Sequence, residues 1–421
     1  MTSIEVVAQR TGLARGGLLV GTLLLCLMML PTTLFYTGLV SSTAPGTVLA
    51  SLIALGLAFA GRVQDRYTKQ ALRASLLIAV VLAMHLVIVA SIIPVDFKRG
   101  LSSVMLLCIC FVGAAATANL LASAAPAELR RGVRTCLYVL GLVALLGVLG
   151  WLQPGGERFT KPVFPFSEPS HLALVVSPFL LCNCVLSKPG ARIAYILVAL
   201  AAATLLQNLT LAAVCLLAAL ICLRVRHLMV MAAIVIPLAL GLDLSYYLDR
   251  LDFSGDTRNL SSLVFLQGWQ MLGESWDATH GIGRGFQQFG LLGTEVPAAD
   301  LILAILKDYL NLLDGGFTLA KVVGEGGVFG VSLIAAYLLC ALRAAALLRS
   351  VARGVQTVEP LMVLTASSIV GYSIELFLRG AGYFTGTGLL LLASLLIWRA
   401  RARGKGLTVS HAPNSSLVTV S

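Results

Sequence analysis

Long runs of apolar residues, interrupted by short polar segments, recur along most of the chain. A helix needs about 20 such residues to cross the hydrocarbon core of a bilayer. The pattern predicts twelve membrane-spanning helices, near residues 16–36, 46–61, 74–93, 101–123, 135–152, 170–187, 191–207, 209–223, 228–245, 326–346, 360–379 and 382–398. The expected fold class is therefore all-α, a polytopic integral membrane protein.

Composition supports this class. The 421 residues are 58% hydrophobic and 12% charged, whereas soluble proteins carry about 25% charged residues. The apolar run after Arg15 leads into further predicted spans, so it differs from a removable signal peptide. The nine cysteines lie within or beside apolar runs and form no C-x-x-C. They are expected to be small core residues rather than disulfide or zinc ligands.

The basic residues predict the orientation of the chain. Most of the 30 Lys and Arg residues lie in short segments that the predicted spans place on one side. Because basic residues concentrate in cytoplasmic loops, both termini are expected in the cytoplasm. The net charge of +11 is then a topology signal. No basic stripe with interleaved aromatic residues occurs, so no nucleic-acid partner is expected.

The spacing of the spans divides the chain into four parts. Residues 1–245 are expected to contain the first nine spans, 246–325 a long periplasmic loop, 326–405 the last three spans, and 406–421 a disordered cytoplasmic tail. Long loops are usually functional. Within this loop, apolar patterns predict short helices at 263–272 and 301–313, with Asp256, Asn259 and Asp300 as candidate caps. These helices lie either on the outer leaflet or against the ends of the spans.

The first candidate site is the segment Phe-Pro-Phe-Ser-Glu-Pro-Ser-His at 164–171, at the predicted outer mouth of the sixth span. Ionisable groups are costly in a bilayer and often mark functional sites. Glu168 and His171 are therefore candidate general bases. The alternative is that Ser167 or Glu168 simply caps the helix, with Pro169 at its first position. His280 is a further candidate base, whereas His85 is expected to be a hydrogen-bonded core residue.

Four arginines on the predicted outer side are candidate ligands for a diphosphate: Arg158, Arg258, Arg284 and Arg379. Arginine is always charged and binds phosphate oxygens through paired hydrogen bonds. The glycines on either side of Arg284 fit a turn whose backbone approaches a phosphate, or an ordinary loop turn. Arg379 follows Glu375 by four residues, so the two form either an ion pair on a helix or a site in which Arg379 faces a cavity.

No D-x-D metal motif, P-loop motif or dinucleotide-binding βαβ context accompanies these arginines. We therefore expect no cofactor and no metal. A metal-free arginine cluster suits a lipid diphosphate as leaving group, whose developing charge the arginines would stabilise.

Several segments resemble the bacterial O-antigen polymerase and ligase superfamily, in particular its Wzy-type polymerases. Phe166-Ser-Glu-Pro-Ser-His171 resembles their outer-mouth motif. The other similar segments are Gly268-Trp269-Gln270, Gly281-Ile-Gly283-x-Gly285 with Phe289-Gly290, Gly324-Glu-Gly-Gly327-Val-Phe-Gly330, and Phe377-Leu-Arg379-Gly with Gly382-Tyr383-Phe384. Their order and predicted sidedness also agree, and the resemblance covers nearly the whole chain.

The resemblance implies a fold like that of the C-type membrane glycosyltransferases (GT-C) in a bacterial inner membrane. It implies an inverting, metal-independent enzyme that polymerises undecaprenyl-diphosphate-linked oligosaccharides into O-antigen or exopolysaccharide on the periplasmic side. Both donor and acceptor would be such lipid-linked glycans, and membrane lipids and a chain-length regulator would be partners. An O-antigen ligase would carry a histidine near Gly316, where this chain has none, so a polymerase is favoured.

Three alternatives remain open at this point. A ligase of the same superfamily would transfer the glycan to lipid A core or to a protein. A transporter or flippase would move the lipid-linked oligosaccharide without forming a bond, but the charges here lie at predicted helix mouths rather than on broken mid-membrane helices. A scaffold would carry no chemistry at all.

Overall fold

The computed structural model describes residues 3–151, 162–240, 259–292, 296–307 and 316–403. The regular elements in these ranges are helical: α1 (Ser3–Tyr36), α2 (Thr43–Ala60), α3 (Thr68–Ala90), α4 (Phe97–Ser123), α5 (Pro126–Val148), α6 (Pro169–Leu186), α7 (Pro189–Leu205), α8 (Leu209–Cys222), α9 (Val225–Leu240), α10 (Leu260–Thr279), a 3-10 turn (Phe289–Leu292), α11 (Pro297–Leu306), α12 (Thr318–Ala352), α13 (Pro360–Phe377) and α14 (Gly386–Arg403).

Eight of these helices are long and apolar enough to cross a membrane: α1 to α6, α12 and α13. The all-α, multi-pass class predicted from the sequence is therefore confirmed. Each of the twelve predicted spans overlaps a helix, but α7 with 17 residues and α8 with 14 are short for a crossing. The count of twelve spans stays a prediction, as does the GT-C-like fold.

Helices α6 and α13 form the centre of the bundle. In the most apolar stretch of each of these two helices, 78% and 83% of the residues are buried. The corresponding share for α12 is 17%, so that helix lies at the periphery. The two central backbones approach closely because Gly371 of α13 has no side chain: a Cβ there would lie 2.8 Å from Oγ of Ser177 on α6. Small residues allow such close helix packing in membranes. All nine cysteines are free thiols, and six of them are buried.

Helix termini gather at one end of the bundle, here called the Glu168 end. Thr43, at the start of α2, donates through Oγ1 to the Phe384 carbonyl just before α14, at 2.9 Å. Tyr36, at the end of α1, packs edge-on against Phe164 before α6, with ring centroids 5.2 Å apart. The N-termini of α2, α6 and α14 therefore lie close together at this end.

Arg192 joins three helix C-termini at the opposite end. Its guanidinium donates to the carbonyls of Ser187 after α6 (2.8 Å), Cys222 at the end of α8 (3.5 Å) and Ala352 at the end of α12. The last carbonyls of a helix lack intrahelical partners and carry partial negative charge. A single half-buried cation thus satisfies groups on three helices.

The region between α9 and α12 has its own apolar core. Leu263 and Met271 of α10, Ile302 of α11, Phe289 and Phe317 are buried together. The expected helix at 263–272 lies within α10, and Asn259 caps it by accepting from the Ser261 N–H at 3.0 Å. These elements therefore pack on one another and on the start of α12.

Three details of this region differ from the prediction or lie outside the described residues. The cap position of α11 is Val296, so Asp300 lies in its first turn and is not a cap. The candidate cap Asp256 and residues 308–315 lie outside the described ranges, as does the predicted tail at 406–421. Helix α12 begins at Thr318, eight residues before the predicted span, because it continues through a kink at Gly327.

Candidate functional site

An ion pair between Arg379 and Glu168 joins two distant parts of the chain at the Glu168 end. Nη2 of Arg379 lies 2.7 Å from Oε2 of Glu168, and the two side chains are 16% and 36% exposed. Ser170 donates through Oγ to the same carboxylate oxygen at 2.9 Å. The pair lies beside the mouth of α6, where solvent reaches it.

The Arg379 guanidinium determines the charge of Glu168. Its positive charge lowers the pKa of that carboxyl to about 2, with help from the neighbouring His171 and from the Ser170 hydrogen bond, although burial acts in the opposite direction. Glu168 is therefore ionised at neutral pH. A carboxylate with so low a pKa is a weak general base, since proton-accepting power falls with pKa.

Helix α6 begins at Pro169, as predicted, but no side chain caps it. Glu168 occupies the cap position without a capping hydrogen bond. Ser167, the other candidate cap, places Oγ 3.0 Å from Nδ1 of His171 one turn further on. The capping interpretation is therefore wrong for both residues, because their side chains face His171 and Arg379 instead.

Arg379 and Glu375 do not form the helical ion pair that their spacing allows. Helix α13 ends at Phe377, so Arg379 lies beyond the regular turn that an i, i+4 pair requires. Glu375 is instead buried inside the bundle, where it accepts from the hydroxyls of Thr385 at 3.2 Å and of Thr387. Beside it lies a cavity with room for about one water molecule.

The glycine segment at 281–285 packs directly on the kinked start of α12. The Arg284 N–H donates to the Gly324 carbonyl and the Gly285 N–H to the Glu325 carbonyl, both at 2.9 Å. In return, the Val328 N–H donates to the Gly281 carbonyl at 2.9 Å. The glycines thus serve a backbone-to-backbone contact, and the half-buried Arg284 side chain extends from a fixed backbone.

Two more helices position this glycine segment. Nε2 of His85 on α3 lies 2.9 Å from the Ile282 carbonyl, so His85 is hydrogen-bonded as expected, yet it belongs to the surroundings of the site. Gln288 forms two hydrogen bonds with the backbone of Asp96 at the start of α4, one from the Asp96 N–H (2.8 Å) and one to its carbonyl (3.0 Å). The segment is thereby fixed against the bundle.

A buried charged cluster lies next to the glycine segment: Lys321, Glu325 and Tyr383. Lys321 and Glu325, one turn apart on α12, are each 3% exposed. The Tyr383 hydroxyl donates to Oε2 of Glu325 at 2.9 Å, and Nζ of Lys321 lies 5.2 Å from the centre of the tyrosine ring. Burial and the Glu325 carboxylate raise the pKa of Tyr383, so its hydroxyl stays protonated.

This cluster was not among the predicted site residues. Glu325 and Tyr383 do lie within two of the glycine-containing segments that the sequence analysis singled out, 324–330 and 382–384, whereas Lys321 lies outside every such segment. Phe286 stacks on Tyr383 with ring centroids 5.3 Å apart. The cluster therefore connects the glycine segment, α12 and the segment that carries Arg379.

The structure thus brings together Glu168, His171 and Arg379. Arg284 lies in the neighbouring glycine segment, whose backbone is hydrogen-bonded to α12. Helix α12 in turn contacts Tyr383, which lies in the same segment as Arg379. His280 ends α10 in a left-handed conformation that turns the chain into the glycine segment. Arg158 and Arg258 lie outside the described residues.

No protein-family model matches this sequence, and no curated protein matches it closely enough to indicate a relationship. In the part of the chain that the structure describes, the fold and the site define the class of the molecule. Its regular elements are helical, eight of these helices are candidates for crossing a membrane, and the Arg379–Glu168 ion pair lies at one end of the bundle.

Proposed function

We propose that this protein polymerises undecaprenyl-diphosphate-linked oligosaccharide repeat units into O-antigen or exopolysaccharide, on the periplasmic side of a bacterial inner membrane. The observation that carries the proposal is the Arg379–Glu168 ion pair, partly open to solvent at the end of a membrane-type bundle. Four segments that resemble the polymerases support it, because contacts link them one to the next: 164–171 to 377–384 through the ion pair, 377–384 to 324–330 through Tyr383 and Glu325, and 324–330 to 281–290 through backbone hydrogen bonds.

In the proposed reaction, a hydroxyl of one repeat unit attacks the anomeric carbon of the growing chain. A new carbon–oxygen bond forms, the bond from that carbon to the lipid diphosphate breaks, and the diphosphate leaves with the electron pair. The hydroxyl proton passes to a general base. Arg379 and Arg284 stabilise the negative charge that develops on the diphosphate, with Arg158 and Arg258 as further candidates.

The two candidate bases take different roles in this proposal. Glu168 is ionised but weakly basic, so it serves to orient Arg379. His171 is the base. It accepts a proton at Nε2 when Nδ1 carries the hydrogen and donates to Oγ of Ser167, 3.0 Å away. Ser167 then fixes the tautomer of the imidazole, as a hydrogen-bond partner does for a catalytic histidine.

The test is a reconstituted reaction. Purified full-length protein in nanodiscs, given a verified lipid-linked repeat unit and nothing else, should produce a ladder of products that differ by one unit. A product formed only when lipid A core or an acceptor protein is added would identify a ligase. Movement of the lipid-linked unit across a vesicle membrane without bond formation would identify a transporter. A complete absence of product from the verified substrate would contradict the proposal.

A further inference from the structure

A small cavity lies inside the bundle between α6, α13 and α14. It has room for about one water molecule, and its wall includes Glu375, Ser368 and Thr387. Cavities that stay empty in proteins have apolar walls, whereas this wall carries a carboxyl group and two hydroxyl groups. A polar occupant is therefore expected. Thr387, at the start of α14, is only half-buried, which places the approach to the cavity at the Glu168 end.

Glu375 brings to this wall a charge that no neighbouring cation balances. It is 1% exposed and accepts from the hydroxyls of Thr385, at 3.2 Å, and of Thr387. Neither donor is charged, and within the described part of the chain the ion pairs involve other carboxylates. An isolated carboxylate inside a protein is costly. Glu375 is therefore expected to hold either a proton or a cation.

The polar groups of the wall offer oxygen lone pairs to an occupant. Ser368 donates its hydrogen to a carbonyl of its own helix at 2.9 Å, and Thr387 donates to Glu375. On the facing helix, Pro178 has no N–H, so the Leu174 carbonyl lacks its regular intrahelical donor. Leu174 and Pro178 both line the cavity. The occupant thus meets acceptors on α6, α13 and α14, and each carboxylate oxygen has further lone pairs to give.

Such a wall suits a monovalent cation. Hard cations bind oxygen ligands, and a single carboxylate balances a single positive charge. The described residues contain no group of three or more acidic, histidine or cysteine side chains that could hold a metal ion of higher charge. A water molecule could donate two hydrogens but would leave the charge of the carboxylate unbalanced. In membrane transporters, sodium ions bind where an interrupted helix frees backbone carbonyls.

We propose that the cavity between α6, α13 and α14 binds a dehydrated alkali-metal ion. Glu375 is its charged ligand, and the oxygens of Thr387, Ser368 and Leu174 complete the shell. The bound ion links α6, whose mouth carries Glu168, to the two helices on either side of Arg379. The site does not rest on the proposed reaction, so each can fail without the other.

The test is thermal unfolding of the purified full-length protein in detergent, while choline chloride is replaced stepwise by NaCl or by KCl at constant ionic strength. A ligand that binds only the folded state stabilises it as its concentration rises. The melting temperature should rise by about 2 °C when the ion reaches ten times its Kd. Choline is too large for the cavity and gives the baseline. The salt with the larger effect identifies the ion.

Two substitutions assign the effect to this cavity. Glu375→Gln keeps the shape of the side chain and removes its charge, so the dependence on the ion should disappear. Ser368→Ala removes one neutral ligand and should require about tenfold more of the ion for the same shift. Ser367→Ala is the matched control, because Ser367 is the buried neighbour of Ser368 on α13 but does not line the cavity. It should respond to the ion like the wild type.

A wild-type melting temperature that is the same in all three salts would overturn the site, since Glu375 would then carry a proton or face a water molecule. A response to the ion that persists in Glu375→Gln would overturn it as well, because the ion would bind elsewhere. If Glu375→Gln does not fold, Ser368→Ala decides: an unchanged requirement for the ion would refute the site.

Discussion

Gly283 and Gly327 face each other so closely that neither position accommodates a side chain. A Cβ on Gly283 would lie 2.4 Å from the Gly327 nitrogen, and a Cβ on Gly327 would lie 2.1 Å from the Gly281 carbonyl oxygen. Gly327 also has φ 54° and ψ −131°, which kinks α12 at this point. The contact sets the position of the glycine segment, and with it the backbone of Arg284.

We therefore expect Gly327→Ala to destabilise the protein by about 3 kcal/mol or more, through the clash and the backbone strain together. Gly326→Ala is the control, because a Cβ there meets nothing within 4 Å, and it should leave stability unchanged or raise it by up to about 1 kcal/mol. Thermal unfolding of both variants in detergent measures the difference. Equal melting temperatures would show that the glycine contact does not matter.

The ion pair of Glu168 predicts a dependence of stability on pH. The pKa of Glu168 is lowered from 4.5 to about 2 in the folded protein, so the pair contributes fully above pH 4.5 and loses its contribution as pH falls towards 2. The melting temperature of the wild type should exceed that of Glu168→Gln by a constant amount from pH 7 to 5, and the gap should shrink in more acidic buffer. A gap that widens on acidification would refute the assignment.

The Tyr383 hydroxyl is expected to matter for activity as well as for stability. Tyr383→Phe leaves the buried Glu325 carboxylate without that donor, at a cost of about 1–3 kcal/mol, and loosens the segment that carries Arg379. Tyr337→Phe is the matched control, since its hydroxyl donates to the Ile369 carbonyl at 2.7 Å inside the bundle, away from the cluster. We expect only Tyr383→Phe to shorten the glycan ladder, measured at a temperature where both variants are folded.

Substitutions of Arg192 test the packing of helix C-termini at the opposite end of the bundle. Arg192→Ala removes donors from three helix C-termini and should lower stability by about 2 kcal/mol. Arg192→Lys should recover little of it, because an ammonium group cannot reach several carbonyls with fixed, forked geometry. Arg349→Ala, which removes one exposed bond to the Leu220 carbonyl at 3.3 Å, should change stability by less than about 0.5 kcal/mol. A similar loss in Arg192→Ala and Arg349→Ala would contradict this account.

The helices were predictable from the sequence because each apolar run and each terminal proline acts locally. The predicted span at 170–187 and the observed α6, which begins at Pro169, agree closely. The partner of Arg379 was not predictable in this way. Glu168 lies 211 residues away along the chain, while the local spacing favoured Glu375, and only the end of α13 at Phe377 separates the two outcomes.

The charged cluster of Lys321, Glu325 and Tyr383 shows a second limit. Its members come from α12 and from the segment before α14, and the kink at Gly327 decides how they meet. The uninterrupted apolar run begins only after Glu325, so the sequence predicted a span that starts at residue 326 and missed the helical turns that carry Lys321 and Glu325. Backbone geometry of this kind is set by the packing of the glycine segment, which the local pattern does not encode.

The most direct test of the central claim compares two arginines that both form ion pairs. Arg379 pairs with Glu168 at the proposed site, and Arg401 pairs with Glu359 where α14 ends and α13 begins, at the opposite end of the bundle. In the reconstituted reaction with a lipid-linked repeat unit, Arg379→Ala should slow chain elongation at least 100-fold, as expected for loss of a group that stabilises the leaving charge. Arg401→Ala should elongate at the wild-type rate. Equal rates in the two folded variants would contradict the assignment of the Glu168 end as the active site.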